Sequence, residues 1–230
     1  LKNRRLSLTG QNGFTLLEIM IAVMIFSVVI SALFSSFRAF ITTSDKIRSD
    51  LTHNEKIRSV LKRIHQDLES VFVVQKPRYK KPGFNTDPDP YRFVGKEEKQ
   101  GDRTLSSITF ASLAHAALGA EPRPGVARIG YYVKENKNQT YDLYRADSLF
   151  PFPEEVENCT DPVLCRDILG FEAVYLDSEG EEHKDWDSEA KEFDYASPSG
   201  IRLKIILDSE KGEQEYQTFV SLAAQRGPLE

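Results

Sequence analysis

From residue 19 to residue 37 the chain reads IMIAVMIFSVVISALFSSF, 19 residues without a charge. At about 1.5 Å of rise per residue this run makes a helix of roughly 28 Å, the thickness of a bilayer's hydrocarbon core. Lys2, Arg4 and Arg5 stand before it with no acid ahead of Glu18, and Arg38 follows it. A cleaved secretory signal has a shorter apolar region, about 7 to 15 residues, closed by a small-residue site. That site is missing before Arg38, which leaves a membrane helix with its basic side kept in the cytoplasm and everything after Arg38 exported. A mean hydropathy of -0.42 for the whole chain excludes a polytopic membrane protein, and 40% hydrophobic residues exclude wholesale disorder.

A plain membrane anchor does not account for Glu18. A carboxylate at the start of an apolar helix is costly and calls for a partner. The segment Gly13-Phe14-Thr15-Leu16-Leu17-Glu18, behind a short basic leader, resembles the type IV prepilin signature. In that family a prepilin peptidase cuts between the glycine and the phenylalanine, here Gly13 and Phe14. The resemblance implies N-methylation of the new amine on Phe14. It also implies that Glu18 of one subunit meets the amine of its neighbour and fixes axial register during filament assembly. Because the apolar run follows the cut, the mature chain keeps its membrane helix.

Beyond Arg38 the apolar positions Ile41, Ile47, Leu51, Ile57, Val60, Leu61, Ile64, Leu68, Val71 and Phe72 recur mostly at intervals of three and four, the pattern of an amphipathic helix. With no proline between Phe14 and Lys76, one rod to about Phe72 is expected, roughly 88 Å long, its second half lying in a groove of the following domain. Pro77, Pro82, Gly83, Pro88 and Pro90 then impose a loop. Short β-branched or aromatic runs predict strands at 107–113, 128–134, 141–146, 171–177, 201–207 and 215–222.

The order of features in this β-rich part is informative. A strand ends in Leu143-Tyr144-Arg145, Leu169-Gly170-Phe171 follows, then an acidic turn with Trp186, then Pro198 ahead of the strand at 201–207. This arrangement is similar to the J-type minor pseudopilin of type II secretion. The resemblance implies an α+β fold in which a long N-terminal transmembrane and amphipathic helix packs against a β-rich pseudopilin head. The corresponding division is a leader at 1–13, a transmembrane half at 14–37, an amphipathic half at 38–76 and a periplasmic head at 77–230. Implied partners are the I-type and K-type minor pseudopilins, the prepilin peptidase, and inner-membrane lipid before assembly. Minor pilins of type IV pili, which serve assembly initiation, adhesion or DNA uptake, share much of the pattern and form the alternative.

Cys159 and Cys165 are the only cysteines. Export puts them in an oxidising compartment, so a structural disulfide is expected; five intervening residues are too many for a redox motif, and no second pair supplies a zinc tetrad. Between Asp177 and Asp194 nine acids face two lysines, but neither glycine nor glutamate falls where an EF-hand loop needs it, and a solvated loop with Trp186 as its packing anchor is the reading. His53 and His65 lie about 120° apart on the helix, a poor metal pair. Lys76, Arg78, Tyr79, Lys80 and Lys81 interleave bases with an aromatic. Loss of Lys2, Arg4 and Arg5 with the leader would take 30 basic residues to 27 against 35 acids, a net charge of -8 that repels nucleic acid. Motifs for acyl, metal or nucleotide chemistry do not occur, so no catalytic residue, cofactor or metal is expected.

Overall fold

A computed structural model of the chain describes residues 14–83, 87–100, 103–116, 124–158, 160–209 and 212–229, with the backbone alone for 39–54. The chain forms two compact units that meet between Asn54 and Glu55.

The first unit is helical. Helix α1 runs from Leu16 to Glu69 and continues into the second unit. Neither glycine nor proline interrupts it, so no backbone donor is lost and no residue brings glycine's entropy cost. Its start is a capping box: Thr15 Oγ1 accepts from the Glu18 backbone N–H at 3.3 Å, and the Glu18 carboxylate accepts from the Thr15 N–H at 3.2 Å. Over Leu16–Arg38 the mean hydropathy is 2.6 and nothing in the unit covers the side chains. This is the one helix among the described residues long and apolar enough to cross a membrane.

In the second unit the end of α1 joins nine strands: β1 (Val94–Gln100), β2 (Arg103–Ser112), β3 (Ala127–Glu135), β4 (Tyr141–Leu149), β5 (Val163–Leu176), β6 (Glu182–His183), β7 (Trp186–Asp187), β8 (Gly200–Leu207) and β9 (Gln214–Ser221). They lie in the order β7-β1-β2-β3-β4-β5-β8-β9, antiparallel between neighbours, with β6 on β5. The sheet curls enough for β2 to meet β5 in parallel at Leu105 and Phe171, where Ser106 Oγ accepts from the Ala173 N–H at 3.0 Å.

Alternation along the strands sends one face inward. Ile57, Val60, Ile64 and Leu68 of α1 and Val71 just beyond it enter a core with Phe93, Ile108, Phe110, Ile129, Leu143, Phe171, Leu203 and Ile205. Full burial of each such aliphatic side chain contributes about 1.5–3 kcal/mol. From Ile57 on the helix therefore lies against the sheet as its periodicity predicts, while the side chains of Ile41, Ile47 and Leu51 are outside the described residues. It stops at Glu69, three residues before the expected end, because Val71 forms a β-bridge with Ser112. Ser112 Oγ stands 2.8 Å from the Asp67 carbonyl and 3.1 Å from that of Ser70, satisfying helix-terminal acceptors.

A second tie gathers the loops. Arg226, in the C-terminal tail, is 4% exposed. It donates to the carbonyls of Tyr195 at 2.7 Å and Ser188 at 2.6 Å, pairs with Glu189 at 3.0 Å, and lies 3.5 Å over the Tyr79 ring. One guanidinium thus fixes the 74–92 loop, the segment after β7 and the tail together.

All six expected strands form, with β5 beginning eight residues earlier than expected. Strand β1, VGKEEKQ, was not foreseen because five of its seven residues are polar or charged. The acidic turn also holds β6, β7 and a short 3-10 helix, Lys191–Phe193. Trp186 is 2% exposed there, stacks on Phe193 at 4.3 Å and donates Nε1–H to the Ala196 carbonyl at 3.1 Å, a packing anchor.

Candidate processing and assembly site

Phe14 is the first described residue and is 82% exposed; Gly13 lies outside the described residues. Glu18 is in the first turn of α1, where a negative charge complements the helix N-terminus. Its Oε2 is also 3.2 Å from Thr15 Oγ1. The carboxylate that sequence reasoning left in need of a partner therefore has one within its own chain. Both cap contacts come from Thr15, the second residue after the expected cut, so they are available before and after cleavage.

Within the head, a buried charge network locks α1 to the sheet. Asp67 is fully buried, and its Oδ2 accepts from Arg145 Nε of β4 at 2.6 Å and from the Tyr131 hydroxyl of β3 at 2.5 Å. Arg63, one turn earlier on α1, brings its guanidinium to 3.0 Å from Oδ1, close in distance but not aligned as a hydrogen bond. Arg145 also donates to Asp147 Oδ2 at 2.7 Å, and Asp147 accepts in addition from the Ala116 N–H at 2.8 Å and faces His115 Nδ1 at 2.6 Å. Burial alone would raise the Asp147 carboxyl, but the Ala116 N–H, His115 and Arg145 outweigh it and hold the group below the usual carboxylate range. The Arg145 guanidinium is held above its ordinary value, since its carboxylates more than offset its burial. Burial, then the Asp67 charge, pushes the Tyr131 hydroxyl up, so it stays a donor.

Sequence reasoning singled out neither Asp67 nor Arg145 as a partner. A signal was available: Asp67 is three residues after Ile64 and four before Val71, on the apolar face of the amphipathic pattern, where an unpaired carboxylate would be prohibitive.

The other expected site residues do not converge on one place. Cys165 is half-buried on β5 and pairs with no other cysteine among the described residues; Cys159 lies outside them. Burial, then the nearby Asp142, pushes the Cys165 thiol up to about 11. The His53 side chain is also outside the described set, and His65 lies 3.2 Å from Glu69 one turn on. In the acidic turn, Asp177 Oδ1 accepts the backbone N–H groups of Glu179 and Glu181, at 2.8 and 2.9 Å. Asp177, Glu181 and His183 bring ligand atoms within 4.8 Å of one another, short of the six to eight oxygens calcium takes. In the basic loop Tyr79 turns inward, 7% exposed, and donates to Glu189 at 2.9 Å, so it offers no stacking platform.

Residues 35–220 match the family described as Type II secretion system (T2SS), protein J, and residues 8–34 match the Prokaryotic N-terminal methylation motif. The two matches meet in α1, the first covering the head and the second the apolar helix with Glu18. No curated protein matches the chain.

Proposed function

The chain belongs to the type II secretion system protein J family, and from that membership we propose that it sits at the tip of the pseudopilus, with its head in the periplasm and the I-type and K-type minor pseudopilins as its neighbours. It is a minor pseudopilin with a prepilin-type N-terminus, a structural subunit held in the inner membrane by one helix, and it associates with other pseudopilins and with the prepilin peptidase. In this reading the peptidase cuts between Gly13 and Phe14, the new amine on Phe14 is methylated, and Glu18 sets register against a neighbour's amine.

The observation that carries the reading is the pairing of two unlike halves in one helix. An apolar half, uncovered in its own unit and bearing a lone acid in its first turn, supports membrane residence and then helix-to-helix packing. A second half buried in the head, with Asp67 locked to Arg145, supports a head built around the end of its helix.

Co-purification from detergent-solubilised membranes tests the placement. Recovery of the I-type and K-type subunits in one complex with the full chain is expected. Recovery of the major pseudopilin alone would overturn the tip placement, and assembly into a type IV pilus without a secretion defect on deletion would overturn the secretion reading.

A further inference from the structure

Strands β5 and β6 meet in a tight turn that gathers an imidazole and two carboxylates. The register sets Tyr175 against His183 and Leu176 against Glu182, which returns the chain over Asp177 and brings His183 Nε2 to 3.2 Å from Asp177 Oδ2. Glu181 lies between them in sequence, and the ligand atoms of all three stand within 4.8 Å of one another. Asp177 Oδ1 is taken by the Glu179 and Glu181 N–H groups at 2.8 and 2.9 Å, which leaves Oδ2 to face the imidazole.

The imidazole is held from outside the turn. Its ring packs edge-on to Trp186 at 5.6 Å and to Phe193 at 5.4 Å, and those two rings stack on each other at 4.3 Å. A cavity of about 170 Å³ adjoins the pair, with Asp177, His183, Trp186, Glu192 and Phe193 in its lining. That is room for one ion and a few waters at about 30 Å³ each. The charges here are unbalanced, because the nearby bases are engaged elsewhere: Lys184 with Glu97, Arg202 with Glu182, and Arg226 with Asp89 and Glu189. Glu179, Glu181 and Glu192 meet no base among the described residues. Burial alone would raise the Asp177 carboxyl, but the Glu181 N–H, His183 and the Glu179 N–H outweigh it and hold the group below the usual carboxylate range.

We propose that His183, Asp177 and Glu181 bind one divalent transition-metal ion of the zinc type, with water in the remaining position. One imidazole with two carboxylates is a donor set that such ions take, three protein ligands and an open place. Around a tetrahedral ion with bonds of about 2.0–2.1 Å, neighbouring ligand atoms stand about 3.3 Å apart. Asp177 Oδ2 and His183 Nε2 already have that spacing at 3.2 Å, and the ion takes the place of the proton between them. The Glu181 side chain is exposed and completes the set by rotation, while its carbonyl stays bonded to the Asp177 N–H at 3.1 Å. The bound ion clips the turn to β6 and stiffens the acidic segment between β5 and β8. The site is complete within this head, so the proposal stands whether or not the subunit occupies the tip.

Trp186 is the only tryptophan and touches His183, so the full chain in detergent micelles reports binding by its own fluorescence. After chelator treatment and dialysis, Co²⁺ should quench Trp186 saturably at one equivalent and show the intense visible absorption of a tetrahedral ion. Zn²⁺ should displace it and raise the melting temperature. His183→Gln should weaken Zn²⁺ binding by more than the roughly ten-fold that loss of an outer partner of a metal ligand costs. Glu181→Gln alters only an exposed side chain and should weaken it too, which keeps the test sound if the His183 variant disturbs the turn. His65→Gln, beside Glu69 on α1, should leave it unchanged. Absence of saturable quenching, or equal binding by wild type and both turn variants, overturns the proposal. Equal affinity for Ca²⁺ and Zn²⁺ would overturn it in favour of a general attraction of cations to an acidic surface.

Discussion

Arg145 Nε on β4 stands 2.6 Å from Asp67 Oδ2 on α1, with both side chains withdrawn from water, 4% and 0% exposed. The contact fixes the helix against the sheet in one axial position. Sliding α1 by one residue would turn Asp67 off this face and take its carboxylate away from both Arg145 and Tyr131.

Removing one partner should therefore cost far more than the contact itself is worth. Asp67→Asn or Arg145→Met should each destabilise the head by about 3–5 kcal/mol, the usual result of stranding a buried charge. The double replacement should be much less costly than the two losses added. Denaturant unfolding of the full chain in detergent measures this, and a strictly additive cycle would show that the two groups do not act as a pair.

The same network gives the head an acid limit. The Asp147 carboxyl is held below its ordinary value, so its contribution is complete above about pH 3.9 and is lost as pH falls through the lower folded-state value. The partners that set this are Arg145, His115 and the Ala116 N–H. Asp147→Asn should lower the melting temperature at pH 7, and the gap to wild type should narrow below about pH 3.9. A gap that stays constant from pH 7 to pH 2.5 would contradict the assignment.

The apolar framework was legible because it is periodic. Ile57, Val60, Ile64 and Leu68 mark a buried face by spacing alone, and strands such as GIRLKIIL announce themselves by alternation and β-branching. Strand β1 was hidden because Lys96, Glu97, Glu98, Lys99 and Gln100 have no apolar alternation; its pairing with β2 specifies it, and pairing is not a local property. Asp67, Arg145 and Arg226 were hidden for a related reason. A charged residue reads as solvent-facing until the fold brings its counter-charge, here 78 residues away for Asp67 and 37 for Arg226. The Glu18 cap is legible locally as Thr15-x-x-Glu18, since both partners lie within one turn.

Processing at Gly13-Phe14 is testable by intact mass. Wild-type protein extracted from membranes should begin at Phe14 with one added methyl group, and Gly13→Leu should retain the leader. Glu18→Leu should still be cut and still reside in the inner membrane, since the change makes the helix more apolar, while secretion falls sharply. Wild-type secretion in that variant would remove the register role.

The proposed Cys159–Cys165 bridge closes a short loop, which in the chain-entropy model is worth only about 2 to 3 kcal/mol. Native protein should therefore show no titratable thiol, and a double serine variant should fold but melt earlier. After reduction, Cys165 should alkylate slowly near pH 8, because its thiol is pushed up to about 11 and little thiolate is present. Two thiols in the untreated protein would exclude the bridge.

The last prediction concerns a group that the core accommodates at a cost. Tyr175 on β5 is fully buried and its hydroxyl has no hydrogen-bond partner among the described residues. The ring tip lies against Gly95 of β1, where a Cβ would stand 2.1 Å from Tyr175 Cζ. An unsatisfied buried hydroxyl costs about 1–3 kcal/mol, so Tyr175→Phe should raise stability while keeping the edge-on contact with Phe93 at 5.8 Å. Gly95→Ala should do the reverse, because the added methyl must displace an aromatic ring in a packed core, an overpacking cost of about 1–3 kcal/mol. Combining the two should leave most of that penalty in place, since Phe keeps the ring that the methyl meets. A Tyr175→Phe variant that melts earlier than wild type would mean that the hydroxyl is satisfied in solution and that a buried water belongs beside it.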